Sequence, residues 1–220
     1  MSELLEIYDL DGNIIKTQKR DEFYDEIKKE FKETGKITKQ VKSIRMILLN
    51  SKGHMYIQKR SYYKKENAGL YDKTIGGHVV AGHTLGLTVV KECHEELGFP
   101  AVVLTDEEFQ LAIHSTDASI IGLFKKIDSI QNFISIRKSK DGDFKQPYIS
   151  SFYVGYYDGS IRFRDGESIG IEVFTLEQLR ERIQKEPEMF TEDLKFMIRR
   201  YEKYLVPINK ENRPVLGYEE

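Results

Sequence analysis

Near the middle of the chain, the segment Gly77–Phe99 reads GHVVAGHTLGLTVVKECHEELGF and places Glu92, Glu95 and Glu96 at relative positions i, i+3 and i+4. On a helix these positions share one face, so three carboxylates project together. Val89, Val90, Cys93 and Leu97 fall on the opposite face, so the helix is expected to dock on a core and hold its acidic face in place. The cluster lies toward the helix C-terminus, where the macrodipole disfavours anions. Such crowding is unfavourable unless a cation neutralises it, and hard divalent ions such as Mg²⁺ or Mn²⁺ suit clustered carboxylate oxygens. A solvated acidic helix end is the plainer alternative. Thr84 is a suitable N-cap, and Gly98 a suitable stop. The turn Gly76-Gly77 leads in.

Composition narrows the classes. A chain of 220 residues can bury a sizeable core and suits one elaborated domain or a domain with extensions. A formal net charge of −2 gives no reason to expect a nucleic acid polymer or an anionic membrane as partner. The single Cys cannot form an intramolecular disulfide and fits a reducing, cytoplasmic setting. Cys93 occupies an apolar helix position, which suits a packed thiol better than a nucleophile. The N-terminus lacks the pattern of a signal peptide, and no apolar run approaches the ~18 residues of a membrane span.

Along the chain, Leu4–Tyr8 and Ile14–Thr17 flank Asp11-Gly12 and predict a hairpin. Asp21–Thr34 carries Phe23, Ile27 and Phe31 on one stripe and predicts a helix closed by Gly35. Strands are expected at Ser43–Asn50, Met55–Lys59, Gly76–Val80, Ala101–Leu104, Gln110–Ile113, Tyr148–Tyr157, Ile161–Arg164 and up to Thr175. Arg60–Lys73 reads as a polar, Tyr-rich loop over the site, and Ala118–Arg137 suits either helix or strand. Helices are expected at Leu176–Lys185 and Glu192–Leu205. This order suits a mixed β-sheet sandwiched between α-helices, an α/β (α+β) protein.

Gly77, Glu92, Cys93, Glu95, Glu96, Gly98 and Phe99 together resemble the Nudix box, Gly-x5-Glu-x7-Arg-Glu-U-x-Glu-Glu-x-Gly-U with U apolar. His83 and Lys91 stand where that pattern has its first Glu and its Arg. The resemblance implies the Nudix fold over about residues 41–205, with 1–40 as an N-terminal extension packed on it and 206–220 as a tail. It also implies a metal-dependent hydrolase of diphosphates joined to another group. In that family the last three Glu bind metal or act as base, and the first Glu and the Arg form a largely structural ion pair. Tyr8-Asp9, Gly12, Ser43–Arg60, Gly69–Gly82 and Phe174–Leu194 are similar to the branch that includes type 1 isopentenyl-diphosphate isomerase and its hydrolase-like relatives. Those isomerases need a Cys two residues before a His. Here His78 is preceded by Gly76, which cannot act as an acid.

The candidate catalytic residues are therefore Glu92, Glu95, Glu96 and Glu167, with Glu92, Glu95 and Glu96 as ligands for Mg²⁺ or Mn²⁺. Candidate substrate-binding residues are Lys59, Arg60, Gly77 and His78. Lys64 and Lys65 are further candidates to grip phosphate, and Tyr62, Tyr63 and Tyr71 to stack on a ring. Each of these also suits a solvated loop or ordinary packing. His94 is expected to face solvent. The expected partner is a small-molecule diphosphate, such as a nucleoside diphosphate derivative, with a homodimer left open. Two readings stand: a hydrolase, or a Nudix-fold protein that binds a nucleotide-like ligand or a partner without turnover. His83 and Lys91 keep the second in view.

Overall fold

One long strand organises the sheet. In the computed structural model, which describes residues 3–140, 142–162 and 168–208, β3 (Lys39–Leu49) pairs in parallel along its length with β9 (Phe144–Tyr156). Its other edge is shared by three antiparallel partners in turn: β1 (Leu4–Asp9), β6 (Ile75–His78) and β4 (Met55–Arg60). The path through the sheet runs β10 (Ser168–Phe174), β4, β3, β9, β8 (Gly122–Arg137), β7 (Ala101–Leu104), with β7 parallel to β8, and the short β5 (Tyr71–Asp72), inside the expected Arg60–Lys73 loop, pairs with β4. Both parallel and antiparallel pairs occur, so the sheet is mixed, and helices cover both faces.

Side chains alternate across a strand, so β3 feeds two cores. Ile44 and Met46 pack with Val89, Cys93 and Leu97 beneath the carboxylate helix. Ile47 and Leu49 pack on the other face with Leu194, Met197 and Ile198 of the C-terminal helix. Each such side chain, fully buried, contributes about 1.5–3 kcal/mol before its ordering cost.

Residues 3–38 extend this sheet. β1 and β2 (Ile14–Lys19) form the expected hairpin. The next helix, α1 (Arg20–Thr34), ends at Gly35 in the left-handed region at φ 72°, as a C-terminal glycine allows. Phe23 and Ile27 of α1 are buried with Leu5, Ile7 and Val41, which seats the helix over the end of β3 and β6.

The expected strand at Gln110–Ile113 is instead part of α3 (Asp106–Ser115). Thr105 and Glu108 form a reciprocal capping box there, and three acidic residues fill the first turn. That local helix signal outweighs the short apolar run. Ala118–Arg137 resolves as strand from Gly122 onward. Register shifts between Lys126 and Asp128 and between Ile130 and Phe133 break its alternation, which is why its apolar spacing also fitted a helix. Ile161 and Arg162 lie outside any strand. Phe163, Arg164 and residues 209–220 fall outside the described residues. The helix at Leu176–Lys185 (α4) forms as expected, and the one expected over Glu192–Leu205 ends at Arg200 (α5, Glu192–Arg200), followed by a 3-10 turn at Glu202–Tyr204; each helix is capped by a threonine. Among the described residues, no helix is long and apolar enough to cross a membrane.

Candidate active site

The carboxylate helix begins at α2 (Leu85–Glu92), where the Thr84 hydroxyl accepts the Leu87 N–H at 3.1 Å. Val89 and, beyond α2, Cys93 and Leu97 are fully buried, which anchors one face. Burial also pushes the Cys93 thiol well up, with Glu96 and Glu92 adding to the shift, so it is an inert core group. The last turn, Cys93–Leu97, is a π-turn rather than α. Its i→i+5 bonding puts more residues in a turn than the usual 3.6. The residue at i+4 then falls nearly in line, and the one at i+3 swings outward. Accordingly Glu96 is 9% exposed, while the Glu95 side chain is 53% exposed and pairs with Lys91 at 3.4 Å.

Glu92 and Glu96 lie within hydrogen-bonding reach of each other. Burial pushes the Glu92 carboxyl above its usual range, and the negative Glu3 and Glu95 add to this, while Glu96 and Lys91 work against it. Glu92 also rests on the backbone of β6. A Cβ placed on Gly77 would sit 2.3 Å from Glu92 Oε1. A glycine at 77 is thus what lets the carboxylate lie there.

These residues form one wall of a cleft of about 640 Å³. Its other walls carry the cations Arg20 and Lys28 from α1, Arg45 from β3, Arg60 from β4, Lys73, and Arg137 from β8, with the acids Glu3, Asp21, Asp25 and Glu66 among them. Arg45 is 2% exposed and donates from Nε to Asp193 at 3.1 Å, from Nη1 to Ser150 Oγ at 2.5 Å and also to Ser43 Oγ. Asp193 sits in the first turn of α5, where the helix dipole favours an anion. Lys73 bridges Asp72 (3.2 Å) and Asp193 (3.8 Å), and Arg60 also reaches Asp72 (3.3 Å). Burial opposes ionisation of Asp72, yet Lys73 and Arg60 hold its carboxyl well below the usual range. Tyr24 of α1 bonds His78 Nε2 at 2.8 Å and the Tyr148 hydroxyl at 3.1 Å. Burial, together with Arg20, Arg137, Arg45 and Lys73, holds the His78 imidazole well below its usual range, so it is neutral at physiological pH.

The profile of the NUDIX domain family matches residues 39–194, most of the chain. The chain belongs to the NUDIX domain family. Among solved structures, the DR0079 protein of Deinococcus radiodurans aligns over 90% of this chain and 98% of its own, at 20% identity and a TM-score of 0.61. That likeness is one of fold. The MutT protein of Methanosarcina mazei Go1 aligns over 74% of this chain and 93% of its own, at 18% identity and a TM-score of 0.49. No curated protein is significantly similar to the chain in sequence.

The NUDIX domain brings Arg60, Gly77, His78, Glu92, Glu95 and Glu96 to one cleft, together with Lys64 and Lys65. It does not bring Lys59, whose ammonium lies 3.8 Å from the Tyr71 ring. On a strand, neighbours point to opposite faces, so Arg60 and Lys59 diverge. Tyr71 is buried and stacked on Phe190, Tyr62 and Tyr63 are exposed outside the cleft, and His94 faces solvent. Glu167 lies outside the described residues. Lys91 does have a carboxylate opposite it. Glu3, from the N-terminal segment that precedes the NUDIX match, stands 3.4 Å away and also pairs with Arg20. His83 Nδ1 is buried without a partner. Arg45, Lys73 and Arg137 are absent from the sequence expectations. Arg45 had a signal, a lone charge inside the apolar run Ser43–Asn50, since a buried Arg must be paired. Lys73 and Arg137 had none.

Among the described residues, no three His, Cys, Asp or Glu side chains converge as a ready cation site. The lining nonetheless fits one. Glu92, partly buried, and Glu96, buried, form a crowded pair of hard oxygen donors. The third carboxylate, Glu95, is engaged by Lys91.

Proposed function

We propose that this protein hydrolyses a diphosphate linkage in a small organic substrate, such as a nucleoside diphosphate derivative, using Mg²⁺ or Mn²⁺. The observation that carries this reading is the Glu92–Glu96 pair, with Glu92 against Gly77, in a cleft that also gathers Arg60, Lys73 and Arg137. Two such carboxylates repel unless a cation or a proton joins them. Glu92 and Glu96 would hold the ion, with Glu95 completing the set once released from Lys91. When bound, such an ion screens the phosphoryl oxygens and acidifies water. The chain's own part is to orient and neutralise. Arg60 lines the cleft and brings its guanidinium charge to bear on a phosphoryl group there. A carboxylate of Glu92, Glu95 or Glu96 takes the proton of the attacking water.

The resemblance of Ser43–Arg60 and Gly69–Gly82 to the isomerase-containing branch does not extend to its chemistry. Gly76 offers no acid, and a Cβ there would sit 2.4 Å from Lys73 Cε, so Lys73 takes the room a thiol would need. A second reading, ligand binding without turnover, is favoured by one feature, the Glu95–Lys91 pair.

A screen of diphosphate substrates with Mg²⁺ and Mn²⁺, following phosphate release, tests the proposal. Turnover is expected, falling at least about 10²-fold in Glu95→Gln with Glu96→Gln. Calorimetric Mn²⁺ binding should vanish in the same variant. Equal Mn²⁺ affinity in both proteins would refute the assignment. Binding without turnover across the screen would leave the second reading.

A further inference from the structure

The cleft runs around an edge of β6. Gly76 and Gly77 are consecutive and face opposite sides of the sheet. A Cβ at 77 would meet Glu92, and one at 76 would meet Lys73. The carboxylates therefore end one face, and the buried cations end the other.

On the second face the charges do not balance. Lys28 is matched by Glu66 at 3.0 Å. Asp193 serves Arg45 and Lys73, and Asp72 serves Lys73 and Arg60. Arg137 donates to the Tyr148 hydroxyl at 2.5 Å and has no carboxylate at ion-pair distance among the described residues. Arg45, Arg60, Lys73 and Arg137 thus share the two carboxylates of Asp72 and Asp193, and Arg137 is the one with neither at ion-pair distance. The Nε atoms of Arg137 and Arg60 are both buried without a hydrogen-bond partner. Those two atoms are closed off from the cleft, so a ligand meets the other nitrogens of the two guanidinium groups, whose side chains line it. The Arg45 and Arg137 guanidinium groups lie 4.7 and 5.3 Å from the centre of the Tyr148 ring. That ring is fully buried, so this pocket suits an anion and not a base stacked on it.

We propose that Arg137, Arg60 and Lys73 form a dianion subsite for a terminal phosphate, while the inner phosphoryl group lies around the β6 edge against Glu92 and Glu96. The proposal rests on the diphosphate reading and narrows its substrate class. A phosphate monoester carries about two negative charges at pH 7, and one esterified on both sides carries fewer. Arg137, left without a carboxylate beside Arg60 and Lys73, favours the first. The preferred substrates are diphosphates with one free end, and those capped at both ends are poorer.

Two measurements test this. Inorganic phosphate is titrated into the intact protein in EDTA, by calorimetry. Binding should persist in Glu95→Gln with Glu96→Gln, weaken about tenfold or more in Arg137→Gln, and recover in part in Arg137→Lys. Unchanged phosphate affinity in a folded Arg137→Gln variant, or no binding to the wild type, overturns the subsite. The second compares a nucleoside 5′-diphosphate with the same diphosphate capped by a sugar. The wild type should favour the uncapped compound about tenfold or more in kcat/KM, and Arg137→Gln should erase that preference chiefly through KM. Preference for the capped compound overturns the narrowing. If neither is hydrolysed, the diphosphate reading falls, and the metal-free phosphate titration still decides the subsite.

Discussion

Gly77 and Glu92 show how a single missing atom positions a carboxylate. The space a Cβ would fill at 77 holds Glu92 Oε1, with the rest of the Glu92 carboxyl and its Cγ within 2.9 Å. The obstacle is the end of a flexible side chain, so Gly77→Ala need not disturb the core. Glu92 would instead turn away from Glu96. The expected outcome is a melting temperature within a few degrees of the wild type, with Mn²⁺ affinity reduced about 10–100-fold, the usual scale when a ligand's support is lost. Parallel melts and calorimetry check this. A large stability loss with unchanged Mn²⁺ binding would contradict the account.

At the scale of elements, the N-terminal hairpin and α1 complete the cleft from outside the NUDIX match. They bring Glu3, Arg20, Tyr24 and Lys28 to its wall. Glu3 stands opposite Lys91, a counter-charge that position 83 lacks. The Glu3 and Lys91 side chains are 33% and 29% exposed, so their pair contributes no more than about 1 kcal/mol. Restoring the usual partners with His83→Glu and Lys91→Arg should therefore add little to the wild type. The same pair of changes should add more in a Glu3→Gln background, because the two carboxylates compete for one cation. Denaturant melts of the four proteins measure this non-additivity. Equal gains in both backgrounds would mean that Glu3 does not serve Lys91.

At the scale of the whole molecule, the buried ion network ties the sheet to α5 and the loop before β6. Asp72 has its pKa depressed in the fold, so its contribution is fully present above the unfolded value of about 4 and is lost as pH falls through the folded value. Asp72→Asn leaves Lys73 and Arg60 short of an anion. It should cost about 3–5 kcal/mol near neutral pH, the scale of a broken buried pair. The gap between wild type and variant should shrink as pH drops below about 4, since the unfolded wild-type chain then takes up a proton that the folded Asp72 does not. Thermal melts from pH 7 to pH 3 test this. A gap that stays constant would show that Asp72 ionisation does not stabilise the fold.

The sequence by itself determined the local elements with strong short-range signals. Asp11-Gly12 specified the hairpin, Gly35 the end of α1, Thr84 the start of α2, and the apolar run from Ser43 the central strand. The mixed sheet between helices followed from their order. The spacing of Glu92, Glu95 and Glu96 placed them together at the end of one helix. Tertiary structure decided the rest. The π-turn parted Glu95 from Glu96, and strand alternation carried Arg60 into the cleft and Lys59 away. Arg45, Lys73, Arg137 and Asp193 are separated by up to 148 positions and meet only because β3, β8 and α5 pack on one face of the sheet. Local patterns are written in neighbouring residues. The balance of charge in a cleft depends on chain segments that only the fold brings within reach of one another.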